Sequence, residues 1–96
     1  MLTYEKFSNA PMKVRILFVK KLLNTLGFHL DETFIDDKCY KKALKKFQSD
    51  NGFGENCVVS KEVFYCLINN VKDYKLIWKN LKWGETIWTN ILIIQN

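Results

Sequence analysis

A helix–stop–helix pattern between Tyr40 and Phe64 constrains this chain more than any other feature. Tyr40, Ala43, Leu44 and Phe47 recur at i, i+3, i+4 and i+7 and so share one face of a helix. Lys38, Lys41, Lys42, Lys45 and Lys46 fall on its other faces, giving the helix one dry side and one charged side. Asn51-Gly52 stops it, because both residues tolerate the left-handed backbone in which helices commonly end. Ser60 starts a new helix as its N-cap, with Glu62 near the positive end of the helix dipole. Val63, Phe64, Leu67, Ile68 and Val71 form the apolar stripe of that second helix.

Upstream, Val14, Leu17, Phe18, Leu22 and Leu26 follow helical spacing from Met12 to Leu26, with Lys21 the only polar residue on that face. Gly27 supplies the C-terminal stop. Residues 1–10 read as a leader to this helix, with Tyr4 and Phe7 tucking back onto the core. Ser8 or Asn9 is placed to cap it, and Pro11 suits a first helical turn, where its missing N–H costs little. The connection from Phe28 to Ile35 has apolar anchors at Phe28, Leu30 and Phe34, and Asp36 or Asp37 caps the helix that follows. In the second connection, Phe53 to Val59, the Val58-Val59 pair is expected to plug into the core. Beyond Asn70, Tyr74, Ile77, Trp78 and Leu81 again fit a helix, either separate or continuing the one before it, with a stop at Gly84. Residues 85–95 fit a helix through Ile87, Trp88, Ile91 and Leu92, or a strand through Ile91, Ile93 and Ile94, and the helix is preferred.

The expected architecture is therefore all-α: a small three-helix unit over residues 1–71 and an aromatic-rich C-terminal extension over 72–96. Ninety-six residues with 48% hydrophobic content suit one small core and leave no room for a second domain. Fifteen Lys and Arg against ten Asp and Glu give a net charge of +5, which admits anionic partners or simply reflects a lysine-rich, solvated helical surface. No stretch approaches the roughly 18 uninterrupted apolar residues of a membrane span, and the N-terminus lacks the pattern of a secretory signal. Synthesis in the cytoplasm is expected. Cys39, Cys57 and Cys66 are odd in number and lack short ligand spacing, which fits reduced thiols.

The spacing of residues around the turns resembles the peptidoglycan-binding-like domain family, a small three-helix module of bacterial and phage cell-wall proteins. The family pattern has two similar halves, LNxLGF followed by DGxFG, and AVxxFQxxxGLxxDGxVGxxTW. This chain has Leu23-Asn24-Thr25-Leu26-Gly27-Phe28 and then Asp31-Glu32-Thr33-Phe34. It continues with Ala43-Leu44, Phe47-Gln48, Gly52-Phe53, Asn56-Cys57, Val59 and Phe64, matching the second half without a gap. Glycines of the pattern are replaced by Glu32, Ile35, Cys57 and Ser60, its aspartate by Asn56, and its tryptophan by Phe64. The resemblance implies an orthogonal three-helix bundle that binds peptidoglycan without catalysis, in which the core positions are kept and the loops that frame a ligand are rewritten.

Polysaccharide recognition needs hydrogen-bonding side chains beside an aromatic face. Gln48, Asp50, Asn51, Phe53 and Asn56 from one turn, with Thr33 and Phe34 from the other, are the candidates. The competing role for the same residues is turn formation, with Asn51-Gly52 capping a helix, Phe53 stapling it, and Gln48 holding the loop backbone through its amide. Tyr74, Trp78, Trp83 and Trp88 are the candidates for a protein interface, where aromatic anchors dominate the energetics. The tryptophans recur every five residues, a spacing that no single helical face accommodates. Some of them are therefore expected to be exposed or to cover the core from a second direction.

One histidine, His29, leaves little from which to build a catalytic dyad or a metal site. No catalytic residue, metal ligand or cofactor is assigned, and no enzymatic activity is expected. With Arg15 the only arginine, bidentate phosphate recognition is weakly provided for and nucleic acid is disfavoured. The expected partners are peptidoglycan, or another protein of a wall-associated assembly such as a phage tail or a secretion machine. Self-association through the C-terminal extension is a further expectation.

Overall fold

A computed structural model describes residues 2–81, and all the regular structure among them is helical. The helices are α1 (Tyr4–Asn9), α2 (Met12–Thr25), α3 (Lys38–Asp50), α4 (Lys61–Asn69) and α5 (Tyr74–Leu81). The expectations for residues 85–95, for the stop at Gly84 and for Trp83 and Trp88 lie outside the described residues.

The centre of the molecule is α2. Val14, Ile16, Leu17, Phe18, Val19, Leu22 and Leu23 are all buried, so the helix is covered on nearly every side rather than along one stripe. It packs against α3 and α4, and its contact with α5 is the most extensive between any two of the described helices. A helix apolar all round must be enclosed, and the elements on either side of it in the chain supply the enclosure. Leu26 is half-buried at its C-terminal edge.

Residues 4–9 form a helix of their own. Thr3 caps it by accepting from the Lys6 amide at 3.3 Å, and Phe7 is its buried anchor. The Phe7 ring lies 4.8 Å from Phe64 and 6.0 Å from Phe18, so the expected return of this segment to the core takes the form of a short helix packed on α4. The expected capping of α2 by Ser8 or Asn9 does not occur. Pro11 holds the N-cap position of α2 and makes no side-chain cap bond, while the Ser8 hydroxyl donates to the Glu5 carbonyl inside α1.

The buried stripes of α3 and α4 are those read from the sequence, except that Val71, read as part of the second stripe, lies past the end of α4. Tyr40, Ala43, Leu44 and Phe47 face inward from α3, and Val63, Phe64, Leu67 and Ile68 from α4. Asp37 and Ser60 are the N-caps, each accepting from the amide three residues on. Val58 departs from expectation. It is 56% exposed, and only Val59 of the pair is packed against the core.

α5 is separate from α4, with Val71 buried in the turn between them. Trp78 meets Phe18 edge-to-face at 5.0 Å and lies 6.4 Å from Phe7, so this part of the chain closes the core over α2. No helix among the described residues is long and apolar enough to cross a membrane.

Candidate functional site

The two loops that carry the candidate ligand residues start from identical helix ends. α2 closes with Gly27 at φ +103°, the Phe28 amide donating to the Leu23 carbonyl at 3.1 Å and the Gly27 amide to Asn24 at 3.1 Å. α3 closes with Gly52 at φ +79°, the Phe53 amide donating to Gln48 at 2.8 Å and the Gly52 amide to Ser49 at 3.2 Å. Both are Schellman motifs with glycine in the left-handed position and a half-buried phenylalanine after it.

An amide side chain then holds each loop. Asn24 pairs with the backbone of Leu30 in both directions, donating to its carbonyl at 2.9 Å and accepting from its amide at 2.7 Å. Gln48 is fully buried and uses every hydrogen-bonding group it has. Its Nε2 donates to Asn56 Oδ1 and to the Val58 carbonyl, both at 3.0 Å, and its Oε1 accepts from the Cys57 amide at 3.1 Å. Asn56 Oδ1 also accepts from the Val58 amide at 3.0 Å. The loop so held passes through Cys57 at φ +59°, the only non-glycine residue at positive φ among the described residues.

The first loop wraps around Lys20, whose role was not legible in the sequence. Its side chain is completely buried, and its three ammonium protons are matched by Asp31 Oδ1 at 2.9 Å, Asp37 Oδ2 at 2.9 Å and Thr33 Oγ1 at 3.1 Å. Burial works against the ammonium, but the hydrogen bonds to Asp37 and Asp31 outweigh it, and the pKa is raised above the ordinary lysine value. Asp37 is forked between two tasks, capping α3 through Oδ1 to the Tyr40 amide at 2.8 Å while Oδ2 takes Lys20. The Lys20 ammonium first, and the Tyr40 amide second, hold this carboxyl below its usual pKa. Glu32 is likewise lowered, chiefly by Lys21 at 2.8 Å. Lys21, expected on the buried face, is thus half-buried and paired at the loop, and the fully buried lysine is its neighbour.

Most of the candidate ligand residues are engaged within the turns. Gln48, Asn56 and Thr33 are tied as described, and Asn51 Nδ2 donates to the Phe47 carbonyl at 2.8 Å. Phe53 is half-buried against the core, and Phe34 has the Lys13 ammonium 5.8 Å from its ring centre. Asp50 is exposed, bonds Lys46 at 3.3 Å, and edges a shallow hollow with Lys42 and Glu55. Of the partner candidates, Tyr74 and Trp78 are half-buried, with Trp78 also forming the wall of a small concavity beside Leu2, Lys6 and Lys75.

Two further concavities involve residues not chosen from the sequence. A hollow of about 260 Å³ runs between Phe28–Leu30 and α3, with Ala43 lining it and Cys39, His29, Lys42 and Lys46 around it. The other, of about 330 Å³, opens between α1, the first turns of α2, the start of α3 and the second loop. Phe7, Ile16, Val19 and Val59 give it apolar walls, and Arg15, Asp36, Tyr40 and Lys41 give it polar ones. Met12 and Val58, both exposed, border it. Tyr40 reads in the sequence as core, whereas the apolar face read for α2 does not include Arg15. Only the placement of α1 and the second loop brings them to one space.

Among the described residues no three His, Cys, Asp or Glu side chains converge as a metal site, and the three cysteines are unpaired thiols. Burial raises the Cys66 pKa. Comparison of the chain with family models, with curated proteins and with solved structures gave no match.

Proposed function

We propose that this chain is a non-enzymatic binding module of the peptidoglycan-binding-like type, an orthogonal three-helix unit that attaches itself, or an assembly that carries it, to murein. The observation that carries the reading is the duplicated helix end. Gly27-Phe28 and Gly52-Phe53 stand twenty-five residues apart and adopt the same motif, as a pattern of two similar halves requires. The residues behind the resemblance also have physical reasons to be where they are. Ala43, Phe47 and Phe64 are buried, Gln48 holds the second loop, and Cys57 takes a left-handed backbone where the family pattern has glycine.

The test is retention of the purified chain on isolated sacculi, measured by co-sedimentation. Retention that falls with Asn51→Ala and Phe53→Ala, while circular dichroism shows both variants folded, is the expected result. A wild-type chain that stays in the supernatant at low and moderate salt overturns the reading.

A second reading, a structural or adaptor protein on the same scaffold, draws on four large apolar side chains exposed among the described residues: Met12, Ile35, Val58 and Leu76. Isolated exposed apolar residues are ordinary, but Met12 and Val58 border a single concavity. A stable oligomer or complex that is lost when residues 72–96 are removed would favour this reading over the first.

A further inference from the structure

The cavity beside Tyr40 has the size and chemistry of a ligand site. Its volume of about 330 Å³ lies at the lower end of the range for small-molecule pockets. Tyr40 is 6% exposed, yet its hydroxyl forms no hydrogen bond among the described residues. A phenol so deeply buried ordinarily meets a partner, and the hydroxyl is not itself sealed from solvent. Burial first, and the Asp36 charge second, push the phenol pKa upward, so it remains a proton donor across the physiological range.

Arg15 stands on the same cavity. Its Nε donates to the Ala10 carbonyl at 3.1 Å, which fixes the plane of the guanidinium and leaves both terminal nitrogens without a partner among the described residues. A guanidinium held in this way presents a fork that matches a carboxylate. Arg15 and Lys41 bring two positive charges and Asp36 one negative charge, so a monoanion neutralises the site. Beside this polar end, Ile16 and Val19 offer a wall for an aliphatic group.

We propose that this cavity binds the carboxylate end of a peptide chain. The terminal carboxylate lies on Arg15 and the Tyr40 hydroxyl, the aliphatic side chain of the last residue packs against Ile16 and Val19, and the last amide N–H points to Asp36. The chemistry is shared by protein C-termini, which end in L-residues, and by wall stem peptides, which carry D-residues. The inference does not rest on murein binding, and a chain that ignores sacculi can still bind the L-ended form.

The test is a titration of the ¹⁵N-labelled full chain with N-acetyl-L-leucine, N-acetyl-D-leucine and N-acetyl-L-leucinamide, followed by backbone amide shifts. At least one of the two acids is expected to give saturable millimolar shifts at Val19, Cys57 and Val59, with the uncharged amide binding about tenfold more weakly. Preference for the L-acid points to protein ends and preference for the D-acid to wall peptides, and either supports the proposal. Tyr40→Phe keeps the shape of the core and is expected to weaken binding about threefold. Arg15→Gln is expected to abolish it, with the spectrum away from the cavity unchanged in both variants. Absence of saturable shifts, equal shifts from acid and amide, or shifts confined to the lysines of α3 would overturn the proposal.

Discussion

At Gln48 a single amide meets three partners on one loop, and the side chain is wholly buried. Removing it leaves the Cys57 amide, the Val58 carbonyl and the Asn56 side chain without their shared partner on α3. Gln48→Met, which fills a similar volume, is expected to cost about 2–4 kcal/mol in urea unfolding, because buried polar groups left unmatched cost roughly 1–3 kcal/mol each and some relax to solvent. Gln48→Glu should cost more at neutral pH, since it turns two donated bonds into repulsion of a carboxylate by two oxygens. Hydrogen exchange at the Cys57 amide should quicken in both variants. If Gln48→Met proves neutral, the loop is held by its backbone alone. This role was legible before the fold was known: a glutamine at the inward edge of an amphipathic helix, just ahead of a polar turn, has few other uses. Lys20 was not legible in the same way, because helical spacing ranked the Val14–Leu22 face first and placed Lys21, not Lys20, beside it.

The elements are joined by a repeated device, and the device depends on glycine. A Cβ built at Gly27 or Gly52 meets nothing within 4 Å, so the cost of alanine there is the cost of the backbone alone. Gly27→Ala and Gly52→Ala are each expected to lose about 1–2 kcal/mol, the penalty of a left-handed residue that carries a Cβ. Gly54 also has open space around it and does not hold a left-handed backbone, so Gly54→Ala should change stability by less than about 0.5 kcal/mol. Thermal or urea unfolding of the three variants checks both statements, and equal effects at all three sites would contradict the argument. Cys57 already bears that penalty at φ +59°, offset in part by the Gln48 bond to its amide and by its thiol lying 3.5 Å from the Lys41 carbonyl. Helix ends of this kind were readable from the sequence because caps and stops act within a few residues. The helix of residues 4–9 was not: six residues are too few for hydrophobic periodicity to show, and tertiary contact through Phe7 is what stabilises it.

For the molecule as a whole, the buried lysine and the buried tyrosine set how stability responds to pH. Folded Lys20 and folded Tyr40 both titrate above their ordinary values, near 10.4 and 10, so above those values the folded chain holds more protons than the unfolded one. Their contribution is therefore complete below about pH 10 and is lost as pH rises through the folded values. Asp37 and Glu32 act with the opposite sign. Their contribution is present above the ordinary carboxylate range, about 4, and is lost as pH falls through their lowered values. The Cys66 thiol, raised by burial, acts with the sign of Lys20 and Tyr40 from an ordinary value of about 8.5. Urea midpoints are therefore expected to be level from about pH 5 to about pH 8 and to fall on both sides. Lys20→Met should lower the plateau by about 1–3 kcal/mol, the modest figure reflecting that Asp31 is largely solvated, and should flatten the alkaline limb. An alkaline limb unchanged by Lys20→Met would leave Tyr40 and Cys66 as its sources.

The sequence by itself determined where α2, α3 and α4 lie, that Tyr74 to Leu81 is helical, which stripes of α3 and α4 are buried and where α2 and α3 stop, but left open whether α5 continues α4. Each of these rests on spacing, capping or backbone freedom over a few neighbouring residues. The tertiary structure alone decided that α2 is enclosed on nearly all sides, that Lys20 rather than Lys21 is the buried lysine, that Val58 faces outward, and that Arg15 and Tyr40 border one cavity. Those outcomes depend on how α1, α5 and the two loops are laid around α2, and pairings between residues far apart in the chain leave no periodic trace within any one segment of it.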